Sequence, residues 1–367
     1  MAKTKDLQTL IDLTTSAQRL FTHYQASLAP SNVTTPTSQT AESGLPNPLE
    51  AVKASVTLLK SHTTTLSLLL LTPPLTPSAV IAKLNEISSG PLSGMVAAAS
   101  YTYQDGQIDP LGTIMRVEVK SQVRRLISTW GDVLALISKT AERRQATKKD
   151  VGLSESEKQE VLSATGMVWG ACDTLLKLCT DGIVGLIVRK AGELRAVLLD
   201  AIEELKEWGD DIDDGSDDEA THSDDDEDDM FGSSNKLGKD DKELKDLLDA
   251  SLKKLKMIGM LYQALIKRRL KTYTPSPPLA ANGVKDATIN PSTKLDKLMD
   301  KMKTIPETAD DLASAFYDLD EDEVKQTLDK CCTAAKDAVD IVKQSWNGRD
   351  DEFTAWSTKW LDALEAS

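Results

Sequence analysis

The sequence predicts an all-α chain: two antiparallel helical bundles of about ten helices, with a disordered acidic insert in the second. Three observations lead there. Apolar residues recur at alternating steps of three and four along most of the chain. Aromatic residues make up only 4% of it, so the cores must be built from Leu, Val, Ile and Ala, which interdigitate well between helices. No run of alternating β-branched residues offers a strand.

The elements follow in order. Residues 6–28 predict a first helix with Leu10, Leu13, Ala17, Leu20 and Tyr24 inward. Residues 30–48, rich in Ser, Thr, Pro and Asn, read as a flexible loop. Asn47-Pro48 opens a second helix through Val52, Val56, Leu59, Leu66 and Leu70, which stops before Pro73-Pro74. Thr76 caps a third, with Pro77 at its first position, running to Ile87. Ser88-Ser89-Gly90-Pro91 is expected to break it, and a short helix covers residues 92–103. Asp109-Pro110 starts a long helix to Thr147 that turns Val119, Val123, Leu126, Trp130, Leu134 and Ile137 inward.

Residues 147–152 are polar and charged, which places a domain boundary there, with one bundle over 1–150 and the other over 151–367. The stretch from Ser154 to Trp208 then reads as two consecutive amphipathic helices. The first begins at Ser154-Glu155-Ser156-Glu157 and carries Val161, Leu162, Met167, Trp169, Leu175, Leu176 and Leu178. The second begins near Asp181 and carries Ile187, Ala191, Leu194, Leu198, Ala201, Leu205 and Trp208 on one stripe.

Net charge is −15, but residues 210–229 hold thirteen acidic side chains and no Lys or Arg. Without them the balance is about −2, so the folded parts are near neutral and give no support to nucleic-acid binding. Residues 209–239 are therefore expected to form a disordered acidic loop, unable to bury enough apolar surface to fold. Order resumes near Asp240, with Leu244, Leu248, Leu255, Ile258, Tyr262 and Leu265 inward, until Thr274-Pro275. Three further helices fit residues 293–317 (interrupted or kinked at Pro306), 322–346 and 350–366, the last with Phe353, Trp356, Trp360 and Leu364 at helical spacing.

Chemistry is not where this sequence points. His23, His62 and His222 are scattered, without a partner at metal-ligand spacing. Ile212 and Thr221 occupy ligand positions of the best EF-hand alignment, around Gly215. Residues 232–239 miss the phosphate-loop spacing by one residue. Cys172, Cys179, Cys331 and Cys332 suit small buried apolar positions in a reducing compartment. No apolar run exceeds about six residues, short of a membrane span. No catalytic residue, cofactor, metal site, membrane or direct nucleic-acid contact is expected.

Three features could serve binding. Ser216, Thr221 and Ser223 sit among downstream acidic residues, the pattern an acidophilic kinase selects. Lys267, Arg268, Arg269 and Lys271 form a candidate nuclear import signal, or the cationic end of a helix. Arg124-Arg125-Leu126 and Arg268-Arg269-Leu270 contain the R-x-L pattern of cyclin-docking peptides, at about the frequency chance predicts and on predicted helices. The Trp356/Trp360 pair fits core docking better than a partner face.

Two stretches carry a family resemblance. One runs from Asn47-Pro48-Leu49-Glu50-Ala51-Val52-Lys53 to Leu58-Leu59-Lys60-Ser61-His62. The other is Gly166-Met167-Val168-Trp169-Gly170-Ala171-Cys172-Asp173 followed by Asp200-Ala201-Ile202-Glu203-Glu204-Leu205. They resemble the cyclin-D-binding protein family (GCIP), helix-loop-helix proteins without a basic region. The most specific family element maps onto Gly166, Trp169, Ala171, Cys172 and Asp173. Gly170 stands where that family has Glu, and Cys179-Thr180-Asp181-Gly182 replaces a Leu-Pro turn.

The resemblance implies binding to D-type cyclins or helix-loop-helix transcription regulators. It also implies reduced cyclin-kinase phosphorylation of retinoblastoma-type proteins, in nucleus and cytoplasm. The expectation is thus a non-enzymatic interaction protein of cell-cycle or transcriptional regulation. A vinculin- or talin-like cytoskeletal bundle adaptor is the alternative, since the architecture alone does not separate the two.

Overall fold

The computed structural model describes residues 2–30, 47–103, 109, 111–147, 153–211, 237, 241–273 and 291–367. All regular structure among them is helical, in agreement with the all-α reading. The helices are α1 (Ala2–Ser27), α2 (Pro48–Leu71), α3 (Pro77–Ile87), α4 (Ser93–Ser100), α5 (Gly112–Thr147), α6 (Glu155–Asp210), α7 (Lys242–Ala264), α8 (Pro291–Tyr317), α9 (Glu321–Val342) and α10 (Glu352–Ala366). Most of the acidic loop 209–239, with Ser216, Thr221 and Ser223, lies outside the described residues, as do most of the expected loops at 30–48 and 274–291.

The chain divides into compact units Met1–Ile183 and Val184–Ser367. The division therefore falls inside α6 and not at 147–152. The physical reason is that the first half of α6 packs on α2: the Thr165 hydroxyl donates to Ser67 Oγ over 3.1 Å, and Asp173 pairs with Lys60. The separation into two successive helices is where the sequence puts it. Gly182, at φ +63° and ψ −166°, interrupts the helical backbone of α6 in a region that side chains strongly disfavour.

In the first unit, local signals set the helix ends. Asn47 Oδ1 accepts the Leu49 N–H with Pro48 at the first position of α2. Ser154 and Glu157 form a reciprocal box at the start of α6, each side chain accepting the other's backbone N–H. Ser88–Leu92 does not break the chain as expected. It continues as a π turn into α4, accommodating the missing N–H of buried Pro91. The α1 stripe is also rotated: Leu10, Thr14, Ala17 and Phe21 are buried, whereas Leu13, Leu20 and Tyr24 are half-buried. α1 lies along α5, where Phe21 meets fully buried Trp130 edge-on at 5.8 Å. The Trp130 indole N–H donates to Thr63 of α2, also buried, over 3.1 Å.

In the second unit, α8 packs along α9, and α7 lies against α9 and α10. The later half of α6 meets α7 through Arg195, whose Nε donates to the Gly259 carbonyl. Trp208 contacts Phe316 and Tyr317 of α8. α8 stays helical through Pro306. α9 ends at Val342, not Trp346, and the Trp346 indole N–H donates to the Arg269 carbonyl. Asp351 opens α10 with a capping box to Thr354.

Candidate interaction faces

On the first half of α6, Val161, Ala164, Thr165, Val168, Cys172, Leu175 and Cys179 are buried, one continuous helical stripe. Leu162, Met167 and Trp169, read from sequence as part of the same apolar set, lie elsewhere on the helix. They are 48%, 60% and 38% exposed. Spacings of four, three and four align Leu162, Gly166, Trp169 and Asp173, while Ser163, Met167, Gly170 and Thr174 form the neighbouring row. A Cβ placed on Gly166 or Gly170 would meet nothing within 4 Å. The open face of α6 is therefore low along its middle, flanked by large apolar side chains.

Met167 and Ala164 also line an open, largely apolar groove of about 680 Å³ shared with Leu136 of α5. The Lys139–Glu160 ion pair, 3.3 Å, crosses from α5 to α6 at that groove. An apolar trough with a charged rim is the geometry that receives an amphipathic helix.

The residues that mark the family element split between structure and surface. Cys172 is fully buried, and burial pushes its thiol up to about 12. Asp173 is exposed and bound to Lys60, Ala171 is half-buried, and Gly166 and Trp169 face outward. Burial likewise raises the Cys179 thiol to about 11 and that of Cys331 to about 12, and it raises Cys332. Thiols held this far above neutrality are poor nucleophiles. His62 stands beside Lys83, 3.2 Å away, and Glu86. Among the described residues no group of three or more His, Cys, Asp or Glu could hold a metal ion, and no helix is long and apolar enough to cross a membrane.

The basic cluster is not one continuous surface. Lys267, Arg268 and Lys271 are exposed, but Arg269 is completely buried. Its guanidinium donates to both Asp351 oxygens (2.7 and 2.9 Å) and to the Lys343 carbonyl (2.9 Å), and lies 4.6 Å from the Phe353 ring centre. An import receptor reading an extended basic peptide would have to extract Arg269 from this site. Leu126 and Leu270, the leucines of the two R-x-L matches, are fully buried within helical segments. Trp360 is buried and Trp356 half-buried beneath the Arg268 guanidinium, so that pair mainly docks α10.

The fold is thus a helical bundle with buried thiols and with large apolar side chains exposed on α6. The sequence places it further. Residues 51–211 match the N-terminal domain, and residues 223–340 the C-terminal domain, of the family described as Grap2 and cyclin-D-interacting. The chain belongs to that family. It is also 25% identical over 321 residues to an uncharacterized protein of Schizosaccharomyces pombe, covering 87% of this chain and 84% of that one.

Proposed function

We propose that this chain is a non-enzymatic adaptor that binds helical cell-cycle regulators, D-type cyclins first, through the open face of α6 before Gly182, and acts in nucleus and cytoplasm. The observation that supports this reading most is the exposure of Met167 and Trp169 on the helix segment that bears the family's most specific sequence element. Large, rigid apolar side chains beside small ones are what a partner helix needs for close approach, and Trp is enriched among residues that dominate binding energy. Gly170 leaves this face smoother than a Glu would, which favours an apolar contact over a charged one.

The test is binding of a purified D-type cyclin to the full chain, to Met167→Glu and to Trp169→Glu, followed by calorimetry. Both positions are open enough that the variants should retain their circular dichroism. A loss of about tenfold or more in affinity in each variant is expected, since a buried charge at an interface costs at least 1–2 kcal/mol. Unchanged affinity would move the site off this face. Absence of binding by the unmodified chain would remove the cyclin assignment itself. Localisation of a tagged chain, with Lys267, Arg268 and Lys271 neutralised in parallel, tests the compartment.

A further inference from the structure

Behind the kink, the last turns of α6 and the first half of α7 enclose a second groove, of about 270 Å³ and different character. Its floor is apolar. Gly209, Leu248 and Leu252 line it, and Leu248 Cδ2 sits 2.2 Å from where a Cβ on Gly209 would be, so the absence of a side chain lets the helices close up. Its walls are cationic: Lys206 comes from α6 and Lys245, Lys253 and Lys256 from α7, against Asp210 and Asp249. All four lysines are exposed, and none forms an ion pair with a described residue. In a chain whose folded parts are close to neutral, four unpaired lysines on one groove are a local excess.

We infer that this groove is a docking site for the chain's own acidic segment, residues 213–229. Charge complementarity is the first argument. That segment holds eleven Asp and Glu residues and no Lys or Arg. Place and length are the second. The segment leaves at Asp211, one residue beyond the groove-lining Asp210, and the chain is described again at Leu237, which is buried, five residues before α7 begins. From Lys245 to Lys256 the helix rises eleven steps, about 16 Å at 1.5 Å per residue. The intervening 25 residues reach roughly 80 Å when extended, ample to run along the groove and return.

Attachment at both ends gives the segment an effective concentration near the millimolar range, so a contact of modest affinity between separate molecules is almost fully populated within one.

The experiment compares the full chain with a variant in which residues 213–229 are replaced by a Gly/Ser linker of equal length. A fluorescent peptide of residues 210–229 is titrated into each, and amine labelling with mass spectrometry reads the exposure of each lysine. The linker variant should bind the peptide at least about tenfold more tightly than the full chain, whose own segment competes. Added salt should weaken this binding. Lys206, Lys245, Lys253 and Lys256 should label more slowly in the full chain than in the linker variant. Combining Lys206→Glu, Lys245→Glu, Lys253→Glu and Lys256→Glu in the linker variant should abolish peptide binding while circular dichroism is unchanged.

Three results would overturn the proposal. They are no peptide binding by the linker variant, equal binding by full chain and linker variant, and labelling rates that do not differ. Should the full chain sediment as a dimer that the linker dissolves, the segment occupies a second copy and the intramolecular assignment fails.

Discussion

The Tyr262 hydroxyl donates its hydrogen bond to the Met302 carbonyl, and Met302 lies four residues before Pro306. In an uninterrupted helix that carbonyl would be served by the N–H at position 306, which proline does not have. Tyr262, Met302 and Pro306 are all buried, so water is not at hand to replace the missing donor. A side chain from α7 thus supplies what the backbone of α8 lacks, and α8 continues through its proline.

Removal of that hydroxyl by Tyr262→Phe should destabilise the protein by about 1–3 kcal/mol, the cost of an orphaned buried carbonyl. Pro306→Ala restores the backbone donor. In that background the same Tyr262→Phe change should cost less than about 1 kcal/mol, and a double-mutant cycle in urea reads the difference. Equal costs in both backgrounds would mean that the hydroxyl does not act by replacing the donor that Pro306 lacks.

Arg269 and Asp351 make an asymmetric pair. The Arg269 side chain is fully buried, while that of Asp351 is 34% exposed. The hydrogen bond from Arg269 is the largest influence holding the Asp351 carboxyl below its ordinary 3.8, helped by the Thr354 N–H that it caps. Asp351→Asn leaves a buried cation without its counter-charge and should cost about 3 kcal/mol, the low end for a broken buried pair because one partner meets water. Arg269→Met removes the buried charge itself and should cost less, since Asp351 keeps its cap and its solvent.

The pH dependence has a definite sign. A carboxyl whose folded pKa is depressed contributes its full stabilisation above its unfolded pKa, near 4, and loses it as pH falls through the folded value. Stability measured from neutral pH downward should therefore fall below about pH 4 with a steeper slope in the unmodified chain than in Asp351→Asn. Parallel curves would show that the pair is not linked to folding.

This pair also marks how far sequence reading reached. Helix ends set by adjacent residues were legible, as at Asn47-Pro48, Ser154–Glu157 and Gly182, because the cap and the break are local chemistry. Periodicity identified Trp130, Tyr262 and Ile258 as core, and all three are fully buried. The partner of Arg269 stands 82 residues away, which no local pattern encodes.

Phase was harder than period. On α1 the buried line runs through Thr14 and Phe21, because neighbouring apolar residues allowed two stripes and tertiary packing chose one. On α6 the same ambiguity hid the candidate face. Leu162, Met167 and Trp169 counted as apolar, yet their rows diverge from the buried row of Val161, Val168 and Cys172. Assigning each residue to its row on the helix was the signal that could have separated them.

Gly182 and Gly192 lie on the same helix and should respond in opposite directions to a methyl group. At Gly182 the added Cβ would meet no neighbour within 4 Å, so sterics with the surroundings are not the issue. The backbone is: φ of +63° with ψ of −166° is a region only glycine enters cheaply. Gly182→Ala should cost about 1–3 kcal/mol, or force the α6 backbone toward a continuous helix. Gly192 is within regular helix, also with open space at its Cβ, so Gly192→Ala should be neutral to stabilising by up to about 1 kcal/mol. At about 2–4 °C per kcal/mol for units of this size, thermal unfolding resolves both signs. Circular dichroism separates the two fates of Gly182→Ala, since straightening adds helical signal and strain does not. A Gly182→Ala variant as stable as the parent, with unchanged helicity, would show that the interruption in α6 does not depend on glycine.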